Sequence, residues 1–440
     1  MDIVIKIIQL LLSLSILVIF HELGHFTAAK IFKTRVEKFY LFFDPWFSLF
    51  KIKKGETEYG VGWLPLGGYV KISGMIDESM DMEQMKKPPQ PWEFRSKPAW
   101  QRLIIMLGGV TVNLLLAIVI YIVLLMAWGE QYLPASALKY GISVDSTAYQ
   151  MGLRDGDKIV SIDNKAVDDF ESIPKTLILE EAKSIQVIRD GQQVNVAIPD
   201  KFISKLIKLK SADFISFRFP FVVSEFAPDA PARKAGMKKN DQILGLNDTL
   251  HPYFDEFRKS LQHYKNKEVS VVILRGKDTL KLPVKVPSAG LIGVYPKSPA
   301  TFLDFREKNY NVISAVPAGI VKAFTGVGNY IKSMKLLFSQ EKAYESVGGF
   351  ISIGSIFPST WDWQSFWHLT AFLSIMLAVL NVLPIPALDG GYVMFLLYEI
   401  IFRRKPSDKF IEYAQIVGMV ILFALLIFAN GNDIMKLFRK

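Results

Sequence analysis

The chain has 440 residues, 50% of them hydrophobic, with a formal net charge of +10, positive mean hydropathy and no cysteine. It is too apolar to be wholly water-soluble, yet its 21% of charged residues requires substantial parts in water, so the composition predicts a membrane protein with aqueous domains. Without cysteine, disulfide frameworks and thiolate metal sites are excluded, and any metal must be held by histidine and carboxylate; the basic charge suits anionic lipid headgroups, and no nucleic-acid motif accompanies it.

Ile3 to Phe20 is almost continuously apolar, broken only by Lys6, Gln9, Ser13 and Ser15, and the helical pattern runs on to about Ile31. The stretch is longer than a signal peptide's apolar core and lacks a small-residue cleavage pattern, which predicts a retained first span over 1–31. Near its end stands His21-Glu22-Leu23-Gly24-His25. Positions i and i+4 share a helix face, so the two imidazoles can hold one ion, and Glu22 beside them can act as general base toward a water. Zinc suits such nitrogen and oxygen donors in a tetrahedral array with one position left open. An acidic residue at a span centre costs roughly 2.5–3.5 kcal/mol on insertion scales, and groups of that kind are usually functional.

Residues 32–102 follow as a water-facing or membrane-associated region, in which Thr57 to Ile72 reads as aromatic and β-branched strands interrupted by glycine turns. An open strand edge there could receive an unwound substrate segment, or the hairpin could be cytoplasmic without substrate contact. The second span is Leu103 to Trp128, within 103–128, and holds Gly108-Gly109-Val110-Thr111-Val112-Asn113. Gly109 permits close helix packing and Asn113 can hydrogen-bond to a neighbouring helix, so both read first as structural.

An internal repeat comes next. Ala148-Tyr149-Gln150-Met151-Gly152-Leu153-Arg154-Asp155-Gly156-Asp157-Lys158-Ile159 recurs as Ala232-Arg233-Lys234-Ala235-Gly236-Met237-Lys238-Lys239-Asn240-Asp241-Gln242-Ile243, and Phe170 and Phe254 keep the register. Each copy predicts a short helix ending at glycine, a strand, a second helix and a hairpin at Arg189-Asp190-Gly191 or Arg275-Gly276. Two small α/β modules are expected, over 129–210 and 211–290.

Within 291–364, Asn311 to Phe338 mixes apolar runs with Lys322, Lys332, Lys335 and Pro317, which predicts amphipathic helices on the outer leaflet, a fifth span being the rival. A third span covers about Phe366 to Leu383 within 365–400, and a fourth covers Ile411 to Phe428 within 401–440. After the third, Pro384 and Pro386 break the helix just before Leu388-Asp389-Gly390-Gly391, so an unwound stretch can point Asp389 at an ion; alternatively Asp389 caps the helix that starts at Gly390. As third ligand it is better placed than His251, His263 or His368. Asn381 reads equally as a polar residue that satisfies the backbone freed by the prolines. Basic residues after the first span, before the second and at Arg403, Arg404 and Lys405 make those loops cytoplasmic, with Lys436, Arg439 and Lys440 dissenting.

The combination of H-E-L-G-H in the first span, N-x-x-P-x-x-x-L-D-G at Asn381 to Gly390, and a duplicated insert between the second and third spans resembles the site-2 protease family, in its bacterial regulator-of-sigma-E type, over nearly the whole chain. The resemblance implies a polytopic α-helical membrane protein with four transmembrane helices, a membrane-associated β-hairpin and two tandem PDZ-like α/β domains. It implies a metalloendopeptidase with one zinc ion on His21, His25 and Asp389 and with Glu22 as base. Asn381 would hold substrate backbone or stabilise an oxyanion, and Gly67, Gly68 and Tyr69 would line the substrate edge of the hairpin. Gly109 and Asn113 match the family's G-P-x-x-N signature, with Val110 where proline is common, and would support the site. The implied substrates are single-span membrane proteins, such as anti-sigma factors and remnant signal peptides, after a prior cut. The implied setting is the bacterial inner membrane, among its lipids, with the active site toward the cytoplasm and the PDZ-like pair periplasmic, recruiting or excluding substrate. Two readings rival it: a membrane-anchored zinc peptidase acting on soluble peptides, and a non-catalytic PDZ scaffold.

Overall fold

The structure, a computed structural model, describes residues 2–75, 88–200, 202–209, 214–340 and 347–438; Arg439 and Lys440 of the basic tail lie outside the described residues. The chain divides into two compact units, one of Met1–Gly129, Asn309–Leu337 and Val347–Lys440, the other of Glu130–Lys308 and Phe338–Ser346.

The first unit is built on long apolar helices: α1 (Asp2–Ile31), α2 (Ala99–Trp128), α3 (Val312–Ser339), α4 (Trp363–Val382), α5 (Asp389–Phe402) and α6 (Asp408–Phe438). Their surfaces are patterned inside out. Gln9, Ser13, Asn113, Thr370 and Ser374 are fully buried, whereas Leu115, Val119 and Val123, one face of α2, are more than half exposed. The buried polar groups join the helices, Ser374 Oγ donating to the Asn113 carbonyl at 2.7 Å and Gln9 Nε2 to the Pro358 carbonyl at 2.9 Å. Apolar residues outside and polar residues inside are what lipid selects, and the chain is a polytopic membrane protein with β-sheet domains.

Among the described residues five helices, not the expected four, are long and apolar enough to cross a membrane: α1, α2, α3, α4 and α6. The additional one is α3, a single helix where separate amphipathic pieces were expected. Pro317 lies inside its second turn, where it removes one backbone bond without ending the helix, and a stripe of small residues, Ala315, Gly319 and Ala323, packs onto its neighbours. A side chain at Gly319 would collide with Ile122 of α2.

Between α1 and α2 the chain forms β1 (Val36–Lys54) and β2 (Thr57–Ile72). The hairpin is folded over on itself, because β1 bends at Phe42 and Trp46, both at positive φ, and β2 bends at Gly67. Lys38 to Leu41 consequently lies between Glu58 to Val61 and Gly68 to Lys71, and Gly68 to Ile72 forms one edge of the sheet.

In the second unit each repeat folds alike. Four-stranded antiparallel sheets run in the order Lys165–Ala166, Lys158–Ile162, Ser184–Arg189, Gln192–Ala197, and again Thr249–Leu250, Gln242–Leu246, Glu268–Arg275, Asp278–Lys285. Each has a helix packed on its core, Ser172–Leu179 or Phe254–Leu261, through Ile173 and Leu177 or Phe257 and Leu261. Two-stranded ribbons complete them, Ile142–Val144 with Ile215–Phe217 and Val223–Phe226 with Val294–Pro296, so the closing strands fall shortly after 210 and 290. The repeated aspartate has a structural reason. Arg189 bonds both oxygens of Asp157 and the Gly152 carbonyl, and Arg275 bonds both oxygens of Asp241 and the Gly236 carbonyl, each at 2.8 Å. Gly152 and Gly236 end their helices at positive φ, which glycine adopts without strain.

Candidate metal centre

The site begins where α1 crosses α2. A Cβ on Gly24 would lie 2.2 Å from the Gly108 carbonyl oxygen, so only glycine lets the two backbones meet there. This close approach turns Gly109 toward the histidines, where an added Cβ would sit 2.5 Å from His21 Cε1 and from His25 Nε2. Gly109 is therefore part of the wall that shapes the site. His25 Nδ1 lies 2.9 Å from the Ile105 carbonyl, and donating its proton there leaves Nε2 with a free lone pair aimed inward.

The Asn113 amide reaches His21 Nδ1 at 3.1 Å, with its nitrogen drawn toward the ring and its Oδ1 buried without a partner among the described residues. Interchanging amide oxygen and nitrogen, which have nearly the same size, gives Oδ1 the His21 Nδ1 proton and satisfies both groups. Asn113 would then hold His21 as it needs to be held for Nε2 to bind a cation.

Asp389 arrives from the other side. After α4 ends at Val382 the chain passes Pro384 and Pro386, turns at Ala387 with φ of +78°, and enters α5 at Asp389. Leu388 occupies the cap position and no side chain caps this helix end, so Asp389 is not engaged as a cap. Glycines make the turn possible. Side chains at Gly390 and Gly391 would strike the Leu383 carbonyl and Pro386, and one at Gly418 of α6 would overlap the Pro386 carbonyl oxygen. Gln415 of α6 accepts the Ala387 N–H at 2.8 Å.

The result is a near-equilateral triangle of donors. His21 Nε2 and His25 Nε2 are 3.2 Å apart, and Asp389 Oδ2 lies 3.2 Å from the first and 3.3 Å from the second. Donors about 2.0–2.1 Å from a tetrahedral zinc ion are about 3.3–3.4 Å from one another, so the three atoms fit one face of such a tetrahedron. Asp389 Oδ2 is buried and makes no hydrogen bond among the described residues. Two imidazoles and a carboxylate converging on a common point, with the carboxylate oxygen otherwise unmet, are a donor set suited to a divalent cation.

A cavity of about 780 Å³ opens beside the triangle, lined by Glu22 and by residues from β1, β2, the 387–389 turn, α2 and α6. Glu22 faces into it. Asn381 Nδ2 lies 3.4 Å from His21 Nε2, at the rim of the triangle. Gly68 and Tyr69 line the cavity as well, with the Tyr69 hydroxyl donating to Asp44 at 2.9 Å. Gly67 does not line it; it makes the bend, packed against the Phe43 ring. His251, His263 and His368 are not among the lining residues. Sequence reasoning gave no role to Gln415, to Gly418 or to the Gly24–Gly108 crossing. A glutamine inside an apolar span was the available signal for the first, whereas the glycine contacts depend on how helices cross.

A family model described as Peptidase family M50 matches residues 9–425. A Campylobacter jejuni protein named as a candidate zinc metalloprotease is 29% identical over 437 residues, covering 98% of this chain and 94% of its own. A Vibrio cholerae protein with a similar name is 26% identical over 467 residues, covering 99% and 100%. The Regulator of sigma E protease of Haemophilus influenzae is 26% identical over 447 residues, covering 97% and 98%.

Proposed function

The chain belongs to peptidase family M50, and from that membership and its converging donor triangle we propose that it is a zinc-dependent endopeptidase that cuts substrate segments inside the membrane. The observation that carries the proposal is the mutual 3.2–3.3 Å spacing of His21 Nε2, His25 Nε2 and Asp389 Oδ2 within apolar helices. These three would hold the ion. Zinc bound there supplies Lewis-acid chemistry, easing loss of a proton from water and polarising a peptide carbonyl. Glu22 takes the proton from the attacking water and returns it to the leaving amine. Asn381 donates its amide N–H to the oxygen that gains negative charge.

The substrate lies extended along the Gly68 to Ile72 edge, with Gly68 and Tyr69 against it, since the groups of that edge face the cavity that holds Glu22. A peptide bond still in a helix would be shielded by its own turns. The substrates are single-span membrane proteins shortened by an earlier cut, anti-sigma factors and remnant signal peptides among them. The Haemophilus influenzae relative is named for regulating sigma E, which fits an anti-sigma factor as substrate.

Helix direction supports four net crossings. His21 and His25 stand toward the C-terminal end of α1, and they meet Asn381 at the C-terminal end of α4 and Asp389 in the turn that follows it, which supports both helices finishing on the same side. The segment that joins the end of α2 to the start of α4 therefore returns to the side it left. Contacts of α3 agree: Gly319 sits on Ile122 near the end of α2, and Tyr330 sits on Phe372 in the first half of α4, which suits a helix lying obliquely in one half of the bundle. The basic residues from Lys30 to Lys38 and from Arg95 to Arg102 support a cytoplasmic metal side, in the setting of a bacterial inner membrane. The repeated modules, read as PDZ-like, then lie in the periplasm, where they recruit substrate ends or exclude large ones.

The test is metal analysis of the purified full chain together with cleavage of a model single-span substrate in detergent or vesicles. Glu22→Gln keeps about one zinc per chain and loses cleavage by about a thousandfold. Activity near wild type would remove Glu22 from the mechanism.

A further inference from the structure

Gln415 takes no part in the steps above, although it reaches from α6 into the same cavity as Glu22 and Asp389. Its Oε1 accepts the Ala387 N–H at 2.8 Å, and since an N–H must meet the carbonyl end of the amide, this bond fixes which way the side chain is turned. Nε2 is thereby committed to the opposite direction. It is buried and has no hydrogen-bond acceptor among the described residues. A buried amide donor left unmet is costly, so such a group survives where something outside the chain meets it.

A second outlier is tied to the first. Ala387 holds a φ of +78°, a left-handed conformation that alanine rarely adopts, two residues before Asp389. Strain of this kind gathers at ligand clamps, where surrounding contacts over-determine the backbone. Here the contacts are the Gln415 carbonyl and the close approach of Gly418 to the Pro386 oxygen. Thus α6 braces the turn that carries Asp389 and at the same point leaves a donor free.

We propose that Gln415 is a substrate-positioning residue: while Oε1 braces the turn at Ala387, Nε2 donates to a backbone carbonyl of an extended peptide segment lying between this turn and the Gly68 to Ile72 edge. The proposal rests on the peptidase reading. A donor needs an acceptor, and an apolar membrane segment offers few on its side chains, which leaves its peptide carbonyls. Those carbonyls are available only where the segment has left its helix, because within a helix they are taken by its own N–H groups. Gln415 therefore favours unwound segments over helical ones, whatever their side chains.

The experiment uses the full chain in detergent, a single-span substrate and two variants. Gln415→Glu keeps an acceptor for Ala387 and removes the donor. It should retain one zinc per chain, raise KM about tenfold, the order of one lost hydrogen bond, and change kcat much less. Gln415→Met removes both polar ends and should add a fall in zinc occupancy or kcat to the same rise in KM. Binding of the uncut substrate to the Glu22→Gln protein, with and without Gln415→Glu, should weaken by the same factor. A KM for Gln415→Glu within about twofold of wild type at full zinc occupancy overturns the assignment. So does a fall in kcat at unchanged KM in both variants, which marks a brace alone. A wild-type chain that binds no zinc and cuts nothing sinks the peptidase reading itself and this proposal with it; an active, zinc-loaded wild type with an indifferent Gln415→Glu sinks only the latter.

Discussion

Each unit of the molecule buries an aspartate oxygen beside basic nitrogen groups, and the two carboxylates are used in opposite ways. In the second repeat Asp241 is 1% exposed and fully satisfied, accepting two bonds from Arg275 at 2.8 Å and one from the Lys238 N–H at 2.7 Å. In the helical unit Asp389 sets Oδ2 between two imidazole nitrogens at 3.2 and 3.3 Å and makes no hydrogen bond with it. The first arrangement is complete within the chain, and it recurs at Asp157 because it closes a module. The second is complete only with a cation added. A buried carboxylate that is fully bonded belongs to the fold, whereas one whose oxygen converges on other donors without bonding belongs to a site.

The sharpest way to break this contrast is to remove each carboxylate in turn. Asp389→Ala should leave the helical unit folded, abolish stoichiometric zinc binding and reduce cleavage by about a thousandfold or more, measured by metal analysis and substrate turnover. Asp241→Ala should do the reverse, leaving zinc at one per chain while amide exchange and proteolysis accelerate within 223–296. Normal zinc content in Asp389→Ala would place the third ligand elsewhere and dissolve the comparison.

How much of this could be read from the sequence follows from the range of the forces involved. The spacing of His21 and His25 is local helix geometry, and their presence in an apolar run is conspicuous because lipid penalises them. Pro384 and Pro386 likewise announce a broken helix next to Asp389. The clamp of Asp241 by Arg275 was visible only as a repeated pattern, since the pairing joins residues 34 apart. The doubled-over β1 and β2 were not legible, as strand propensity says nothing about which segment returns to which edge. Nor was the continuous α3, whose spread lysines obscured its run of small packing residues. Gly24 and Gly108 needed the crossing of two helices to acquire a purpose, and Gln415 needed the strained turn at Ala387.

The next perturbations sharpen the comparison by leaving all three ligands in place. Gly109→Ala puts a methyl group where His21 and His25 have their rings, 2.5 Å from each, on a helix that cannot retreat because Gly24 and Gly108 are already in contact. Zinc affinity and cleavage should both fall by about a hundredfold, read by competition with a chelator and by turnover. Asn113→Leu fills a similar volume without the amide and should weaken zinc by about tenfold, because His21 loses the group that orients it. Zinc affinity equal to wild type in Asn113→Leu would return Asn113 to a purely structural role.

The smallest effect concerns the aspartate that has no part in the chemistry. Burial by itself would push the Asp241 carboxyl up, but the Arg275 guanidinium and the Lys238 backbone N–H together hold it below its ordinary value. A carboxyl that is more acidic folded than unfolded contributes stability that is fully present above its unfolded value and is lost as pH falls through its folded one. Between about pH 5 and about pH 3 the amides of Gln242–Leu246 should therefore lose protection against hydrogen exchange, and Asp241→Asn should flatten that dependence after correction for intrinsic exchange. Since the readout lies inside the module, loss of metal at low pH does not enter it. Protection with the same pH slope in Asp241→Asn would mean that another group governs the module, and that its satisfied carboxylate is held by geometry more than by charge.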